Sequence, residues 1–393
     1  QNLMSEEEFP RFLAQLRIPL PSSFRITGSR SHAKELKDLM VSKYFPGIEN
    51  FVDDAGEVVQ VPKPIPWYPD DLAWSYSASR TALKKSPQLA TYHKFLVAET
   101  EVGNISRQEV VSMIPVLLLD VKPEHSVLDM CAAPGSKTAQ IIEAIHANDE
   151  PIPSGLVVAN DAEQARAYML VRQTKRLQSP CLVVTNHEAQ FLPFISLAGA
   201  PAVQAGPDAP ATSSRVLRFD RILGDVPCSG DGTMRKNKLI WNSWKVGNGN
   251  GLHKLQLQIL IRGIEMLKVG GQMVYSTCSF NPIENEAVVA AALRHCGGTC
   301  AIELVDASKR LPQLERRNGI CTWKVMSGNG TWYSSWDDVP AERRAKLAPT
   351  MFAQEDNVSL GLDKCIRLYP HLQDTGGFFV AVIRKTGPFG KMD

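Results

Sequence analysis

Val127-Leu128-Asp129-Met130-Cys131-Ala132-Ala133-Pro134-Gly135-Ser136-Lys137-Thr138 decides the fold. Residues 127–130 read as a short apolar strand, and the chain then passes through small residues. Residues 136–147 follow with apolar side chains at Ala139, Ile142 and Ile145, a helical spacing. A strand that opens through small residues into a helix lets backbone N–H groups approach a ligand closely. The helix N-terminus stands behind them. The segment does not suit a triphosphate loop, because Lys137 follows Ser136 rather than Gly135 and no glycine precedes at the required distance.

Outward from this stretch, strands alternate with helices. Further strands are expected at 155–160, 181–185, 219–223 and 272–276, with a sixth at 302–305 and a seventh at 378–383. Helices are expected at 163–177 and 252–267, the second ended by Gly270-Gly271. Another opens at Asn281-Pro282-Ile283-Glu284, with proline in the first turn. Ser106-Arg107-Gln108-Glu109 reads as a capping box opening a helix that Pro115 ends or kinks. Residues 193–214 and the glycine run 247–251 read as loops, and 307–365 as irregular. This alternation predicts an α/β, doubly wound, mostly parallel seven-stranded sheet with helices on both faces. Residues 1–95 read as a smaller N-terminal α/β region and 96–387 as the main domain. The aromatics Trp67, Tyr68 and Trp74, set among prolines, are expected to pack between segments.

Composition narrows the class. The chain has 393 residues, 44% hydrophobic and 21% charged, which excludes collagen, coiled coil and wholesale disorder. Lys+Arg is 43 and Asp+Glu is 41, giving +2, so the whole chain is not polybasic, although local basic faces remain open. No apolar run approaches the roughly 18 residues of a membrane span, so no membrane association is expected. The chain begins at Gln1 without a signal-peptide pattern, as expected of a trimmed or processed form of a longer protein. Its eight cysteines form no dense framework, and Cys296 and Cys300 beside His295 have no second ligand pair with zinc spacing. No metal and no obligate protein partner is expected.

Strand ends carry the chemistry. Asp161 ends the second strand, where an acid suits the two hydroxyls of a ribose or caps the next helix. Glu188 follows the third strand, where an acceptor can meet an adenine amino group. Adenine and ribose without a triphosphate loop point to S-adenosyl-L-methionine. The fourth strand ends in Asp225-Val226-Pro227-Cys228 and the fifth in Ser276-Thr277-Cys278. In a parallel sheet both ends open on one crevice, so two thiols and a carboxylate are expected to converge there. Such a set suits cytosine. Carbon 5 is a poor nucleophile until a thiolate adds to carbon 6, and a carboxyl group beside ring nitrogen 3 and the exocyclic amine stabilises the developing charge. The helix expected to open at Asn281-Pro282 would assist the Cys278 thiolate. Arg166, Arg172, Lys175 and Arg176 recur on one helix, Arg235, Lys236 and Lys238 follow the Pro-Cys loop, and Arg80, Lys84 and Lys85 lie upstream. Arg235 is the expected phosphate contact, being nearest the crevice in sequence.

The chain resembles the Nop/Sun family of RNA cytosine-5 methyltransferases. The resemblance rests on residues 129–138, 225–237 and 275–286, and extends through Arg25-Ile26-Thr27-Gly28, 103–115, 322–326 and 375–382. It is greatest toward eukaryotic members acting on tRNA. It implies Cys278 as nucleophile, Cys228 as the residue releasing product, and Cys131, Ala132, Ala133, Pro134, Gly135, Ser136, Lys137, Asp161, Glu188 and Asp225 as cofactor contacts. At Glu188 relatives usually carry aspartate. The resemblance also implies tRNA or another structured RNA as substrate, an RNA-binding role for 1–95, and a nuclear or nucleolar location, with cytoplasm as a second site. The chain ends soon after the last strand, so a further RNA-binding module of longer relatives is expected to be missing. Two other readings stay open: DNA cytosine-5 methylation with Cys228 attacking, and an RNA-binding scaffold without catalysis.

Overall fold

The computed structural model describes residues 3–48, 60–77, 87–148, 150, 152–197 and 216–389. Its N-terminal part comprises α1 (Glu8–Arg17), β1 (Ser22–Ile26), α2 (Ala33–Leu39), β2 (Lys63–Pro64), β3 (Ala73–Tyr76), α3 (Pro87–Glu101) and β4 (Ile105–Arg107). The four strands form an antiparallel sheet in the order β2-β3-β1-β4. Phe24, Ile26, Met40, Trp74, Tyr92 and Phe95 fill its core. Trp67 and Trp74 are buried, as packing requires. The boundary expected at residue 95 falls inside α3, and β4 beyond it still belongs to this sheet. Arg80, Lys84 and Lys85 lie outside the described residues.

The main sheet follows. Its parallel strands are β5 (Ser126–Asp129), β6 (Leu156–Asn160), β7 (Leu182–Thr185), β8 (Phe219–Asp225) and β9 (Leu267–Thr277), in the order β9-β8-β5-β6-β7. β15 (Phe378–Lys385) pairs antiparallel with β9. β10 (Ile302–Leu304) and β14 (Ile366–Leu368) pair with β15, and β11 (Arg317–Asn318) with β14. The seven expected strands are therefore present, and two short ones extend the antiparallel edge to nine. β12 (Val325–Met326) and β13 (Trp332–Tyr333) form a separate hairpin. Strand order reverses between β5 and β8, so a crevice opens there at their carboxyl ends.

The connecting helices are α4 (Ile114–Leu119), α5 (Ser136–Ile145), α6 (Gln164–Thr174), α7 (Ile240–Ser243), α8 (Val246–Met266), α9 (Glu286–His295) and α10 (Pro370–Gln373). Among the described residues, no helix is long and apolar enough to cross a membrane. Side-chain alternation buries both faces of the sheet. Leu128, Ile222 and Met273 pack with Ile259, Leu260 and Ile264 of α8 and with Val289 of α9. Val127, Leu223, Val274 and Val380 point the other way, against Leu118 of α4 and Ile141, Ile142 and Ile145 of α5. Neighbours along each strand thus serve opposite cores, which is why these strands read as continuous apolar runs.

Local expectations are corrected in four places. Ser106-Arg107-Gln108-Glu109 does not open a helix: Ser106 and Arg107 are in β4, and α4 starts after a single tight turn at Val110–Met113. Pro115 sits in the first turn of α4, where its missing N–H has no helical partner to lose. The glycine run 247–251 is not a loop but the opening of α8. Packing overrides its poor propensity, because a Cβ at Gly249 would fall 2.7 Å from Glu284 Oε2. α8 ends at Met266, and residues 268–271 bulge from β9 opposite Asp220, between the pairs Phe219–Leu267 and Arg221–Gln272. Finally, Asn281-Pro282 starts a turn and not a helix; α9 begins at Glu286. Of the expected loop 193–214, residues 198–214 lie outside the described residues.

A buried ion pair fastens the small sheet to the large one. Arg25 of β1 is fully buried; its Nη1 donates to Glu143 of α5 and its Nε to Gln108 Oε1 at 2.6 Å. Gln108 Nε2 donates onward to Gln140 Oε1 of α5 at 3.1 Å. Burial opposes the Arg25 charge, but the Glu143 carboxylate and the Tyr68 hydroxyl together outweigh this and hold the guanidinium above its ordinary pKa. The wall of the crevice formed by β1 and β4 is set by this network.

Candidate active site

The loop after β5 is tied to the end of β6. Ala132 N donates to Asn160 O at 2.8 Å, Asn160 Nδ2 to Met130 O at 3.0 Å, and Ala133 N to Asp161 Oδ2 at 3.1 Å. Gly135 precedes α5 with φ 108°, and a Cβ there would meet Leu170 Cδ1 at 2.9 Å, so the turn needs glycine. Asp161 is buried, and its other oxygen accepts from Glu163 N at 3.2 Å. It therefore holds both the loop and the turn that leads into α6, whose N-cap is Glu163 without a side-chain cap bond. Arg166 donates to Ala133 O at 2.8 Å and lies 3.4 Å from Asp161.

The crevice holds a cavity of about 1050 Å³. Cys131, Ala132, Ala133, Pro134, Ser136, Lys137 and Asp225 line it, facing Phe24, Arg107 and Gln108 of the N-terminal part. Gly135, Asp161 and Glu188 are not in its wall. Glu188 is exposed, with its carboxylate accepting from Gln190 Nε2 at 2.8 Å. Asp129 has no role assigned from the sequence, yet it lines the cavity. Its Oδ2 accepts from Thr138 Oγ1 at 2.7 Å, and its Oδ1 is buried with no hydrogen-bond partner among the described residues. Burial raises its pKa to about 7, against the Thr138 hydrogen bond. Burial also pushes the Cys131 thiol up.

The thiols converge as expected. Cys228 Sγ and Cys278 Sγ are 3.1 Å apart, each half-buried just beyond the ends of adjacent parallel strands. The hydrogen bond with Cys278, and then burial, hold the Cys228 pKa well above the ordinary thiol value. Asp225 shares its oxygens between Ser276 Oγ at 2.6 Å and Lys137 Nζ at 2.7 Å. Lys137 Nζ also donates to Ser112 Oγ at 2.6 Å. Neither thiol is among the residues lining the large cavity, whereas Asp225 is. The helix N-terminus expected beside Cys278 is absent there, since α9 starts at Glu286. The group facing its sulfur is the Cys228 thiol.

Arg235 is corrected. Its side chain is 0% exposed, and it donates to Ile18 O, Pro19 O, Thr375 O and Asp374 Oδ1. Those bonds clasp the segment after α1 to the loop before β15 and leave the guanidinium no reach toward a phosphate. Arg235 borders the cavity with its donors turned to those carbonyls and Asp374, while Lys236 and Lys238 beside it are exposed. On α6, Arg172 is exposed, as is Lys175 just after it, whereas Arg176 donates to Thr100 O and Ser106 Oγ.

The doubly wound sheet and its crevice are those of a known methyltransferase fold. A solved methyltransferase homolog protein from Pyrococcus horikoshii shares it, with a TM-score of 0.59 and 24% identity over 96% of this chain and 91% of that one. A family model described as 16S rRNA methyltransferase RsmB/F matches residues 116–310, and the chain belongs to the RsmB/F family. It is 49% identical to the multisite-specific tRNA:(cytosine-C(5))-methyltransferase trm4b of Schizosaccharomyces pombe, over 97% of this chain and 57% of the relative. It is also 49% identical to the multisite-specific tRNA:(cytosine-C(5))-methyltransferase of Saccharomyces cerevisiae, over 98% of this chain and 53% of the relative. The chain thus spans about half the length of the curated relatives it matches.

Proposed function

We propose that this chain carries the catalytic unit of an RNA cytosine-5 methyltransferase acting on tRNA with S-adenosyl-L-methionine. The observation that carries the reading is the pair of thiols 3.1 Å apart beside Asp225. The residues present fit the cofactor: Asp129 offers an unpartnered buried carboxylate oxygen to a cationic ligand, and the 131–137 loop presents small residues around it. Cys131, Ala132, Ala133, Pro134, Ser136, Lys137 and Asp225 would hold it, with Gly135 making the turn and Asp161 supporting the loop from behind. When bound, the cofactor supplies an electrophilic methyl group.

The protein's own residues do the rest. Cys278 forms the bond to carbon 6 of the cytosine as a thiolate, and the Cys228 S–H donates to that thiolate beforehand. Asp225 faces ring nitrogen 3 and the exocyclic amine, steadied by Lys137 and Ser276. Once the Cys278 sulfur is bonded to carbon it carries no charge. The largest influence keeping Cys228 protonated is then gone. With its own proton passed to solvent, Cys228 takes the carbon 5 proton as a thiolate, the ring double bond re-forms, and the carbon–sulfur bond breaks with its electrons returning to Cys278. The target base must leave its stack to reach the thiol. Exposed Lys236, Lys238, Arg172 and Lys175 are candidates for the phosphates around it. A role of the N-terminal part in RNA binding and a nuclear or nucleolar location rest on the family resemblance.

Labelled methyl transfer to total tRNA and to duplex DNA, followed by bisulfite mapping, tests the reading. Label in tRNA cytosines is expected. Label only in DNA would favour a DNA enzyme using Cys228, and label in neither would favour a scaffold.

A further inference from the structure

Glu284 is a buried carboxylate with no role in the chemistry above. It lies in the turn between Cys278 and α9 and is fully buried. Its Oε1 accepts from Ser229 N at 2.7 Å and Gln256 Nε2 at 3.2 Å. Its Oε2 accepts from Ser229 Oγ at 2.6 Å, Ser279 Oγ at 2.9 Å and Asn281 Nδ2 at 3.2 Å. Ser229 follows Cys228 directly, and Ser279 follows Cys278. One carboxylate therefore holds the residue after each thiol. Gln256 of α8 adds a third tie, donating to Pro227 O at 2.9 Å, just before Cys228. Gly249 leaves room for the arrangement, since a side chain there would strike Glu284.

A buried charge with five donors around it is costly to assemble unless every lone pair is used. Simple stability would be served as well by apolar packing. What an apolar group cannot do is fix two loops from different strands to one point in a defined direction. We propose that Glu284 is a positioning residue that sets the spacing of the Cys228 and Cys278 thiols. The inference rests on the proposed function only for its catalytic consequence; the spacing itself is a property of the fold.

Two readouts test it. Diamide, an azo oxidant, takes one hydrogen from each of two thiols, becoming the hydrazine as the sulfurs join. In wild-type protein, peptide mapping is expected to find a Cys228–Cys278 disulfide forming quickly. In Glu284→Gln, which keeps one acceptor oxygen, and in the shorter Glu284→Asp, it is expected to form about tenfold more slowly or worse. Melting temperature and cofactor affinity distinguish this from general loss of structure. In the second readout, each variant is incubated with tRNA and cofactor. The fraction held as covalent adduct is expected to rise relative to released product, because release needs both thiols in register while attack needs one. Wild-type cross-linking rates in both variants, or adduct formation and release falling in equal proportion, would overturn the assignment. So would failure of the wild-type thiols to cross-link. If neither variant folds, Ser279→Ala removes the tether beside the nucleophile and leaves the carboxylate; unchanged cross-linking there would also overturn it. Rapid cross-linking in a wild-type protein that transfers no methyl group to RNA would reject the proposed function and leave the role of Glu284 standing.

Discussion

The two sides of the crevice are finished to different degrees. On the thiol side, both oxygens of Glu284 are engaged, Gln256 Oε1 being the one atom of that network left without a partner among the described residues, and further bonds knit the loops: Gly232 N donates to Cys278 O at 2.9 Å and Phe280 N to Asp231 Oδ1 at 2.9 Å. On the cofactor side, Asp129 keeps a buried oxygen without a partner, and Glu188 stands in solvent. The difference separates two tasks. Reacting groups gain from being held in place before the substrate arrives. A binding surface gains from polar atoms that only the ligand satisfies.

The largest effect is expected from Cys278→Ala. Methyl transfer should fall about a thousandfold or more, with cofactor affinity unchanged by calorimetry. A parallel loss of cofactor binding would show that the two sides are not separable. Asp161→Ala should weaken cofactor binding by about 1–3 kcal/mol, because the 131–137 loop loses its tie at Ala133 N. Unchanged affinity would leave Asp161 only the turn before α6.

Asp129 gives a pH dependence of two signs. Its pKa in the folded protein, about 7, lies above the ordinary carboxylate value. The stability it contributes is therefore fully present in acid, below the ordinary carboxylate range, and lost as pH rises through about 7. Binding of a cationic cofactor runs the other way, weakening as Asp129 takes up its proton below about pH 7. Melting and calorimetry across that range should show both slopes, and Asp129→Asn should flatten them. The smallest effect is expected from Glu188→Gln, within about 0.5 kcal/mol in cofactor affinity, as for an exposed side chain. A larger loss would mean that the loop after β7 closes on the ligand.

What is legible in the sequence follows the same division. Asp225, Cys228 and Cys278 each close a strand of plain apolar pattern, so a parallel sheet brings them together without knowledge of packing. Glu284 reads in sequence only as part of a helix start. Its partners Ser229 and Gln256 are distant along the chain, Ser229 by 55 residues, and no local pattern announces such a contact. The glycines at 247–251 mislead for a related reason: local propensity says loop, while the close approach of Glu284 at Gly249 favours a helix without a side chain there. Arg235 does stand near the crevice, but its donors point to Ile18, Pro19 and Asp374, which only the folded chain brings near.

The central claim is that two adjacent thiols divide the labour of attack and release. Incubating each cysteine variant with tRNA and cofactor, then resolving the products on a denaturing gel, tests it most directly. Cys228→Ala should give a slow-migrating protein–RNA band, because attack by Cys278 proceeds and release stalls. Cys278→Ala should give none. A band from Cys278→Ala and none from Cys228→Ala would contradict the account and make Cys228 the nucleophile.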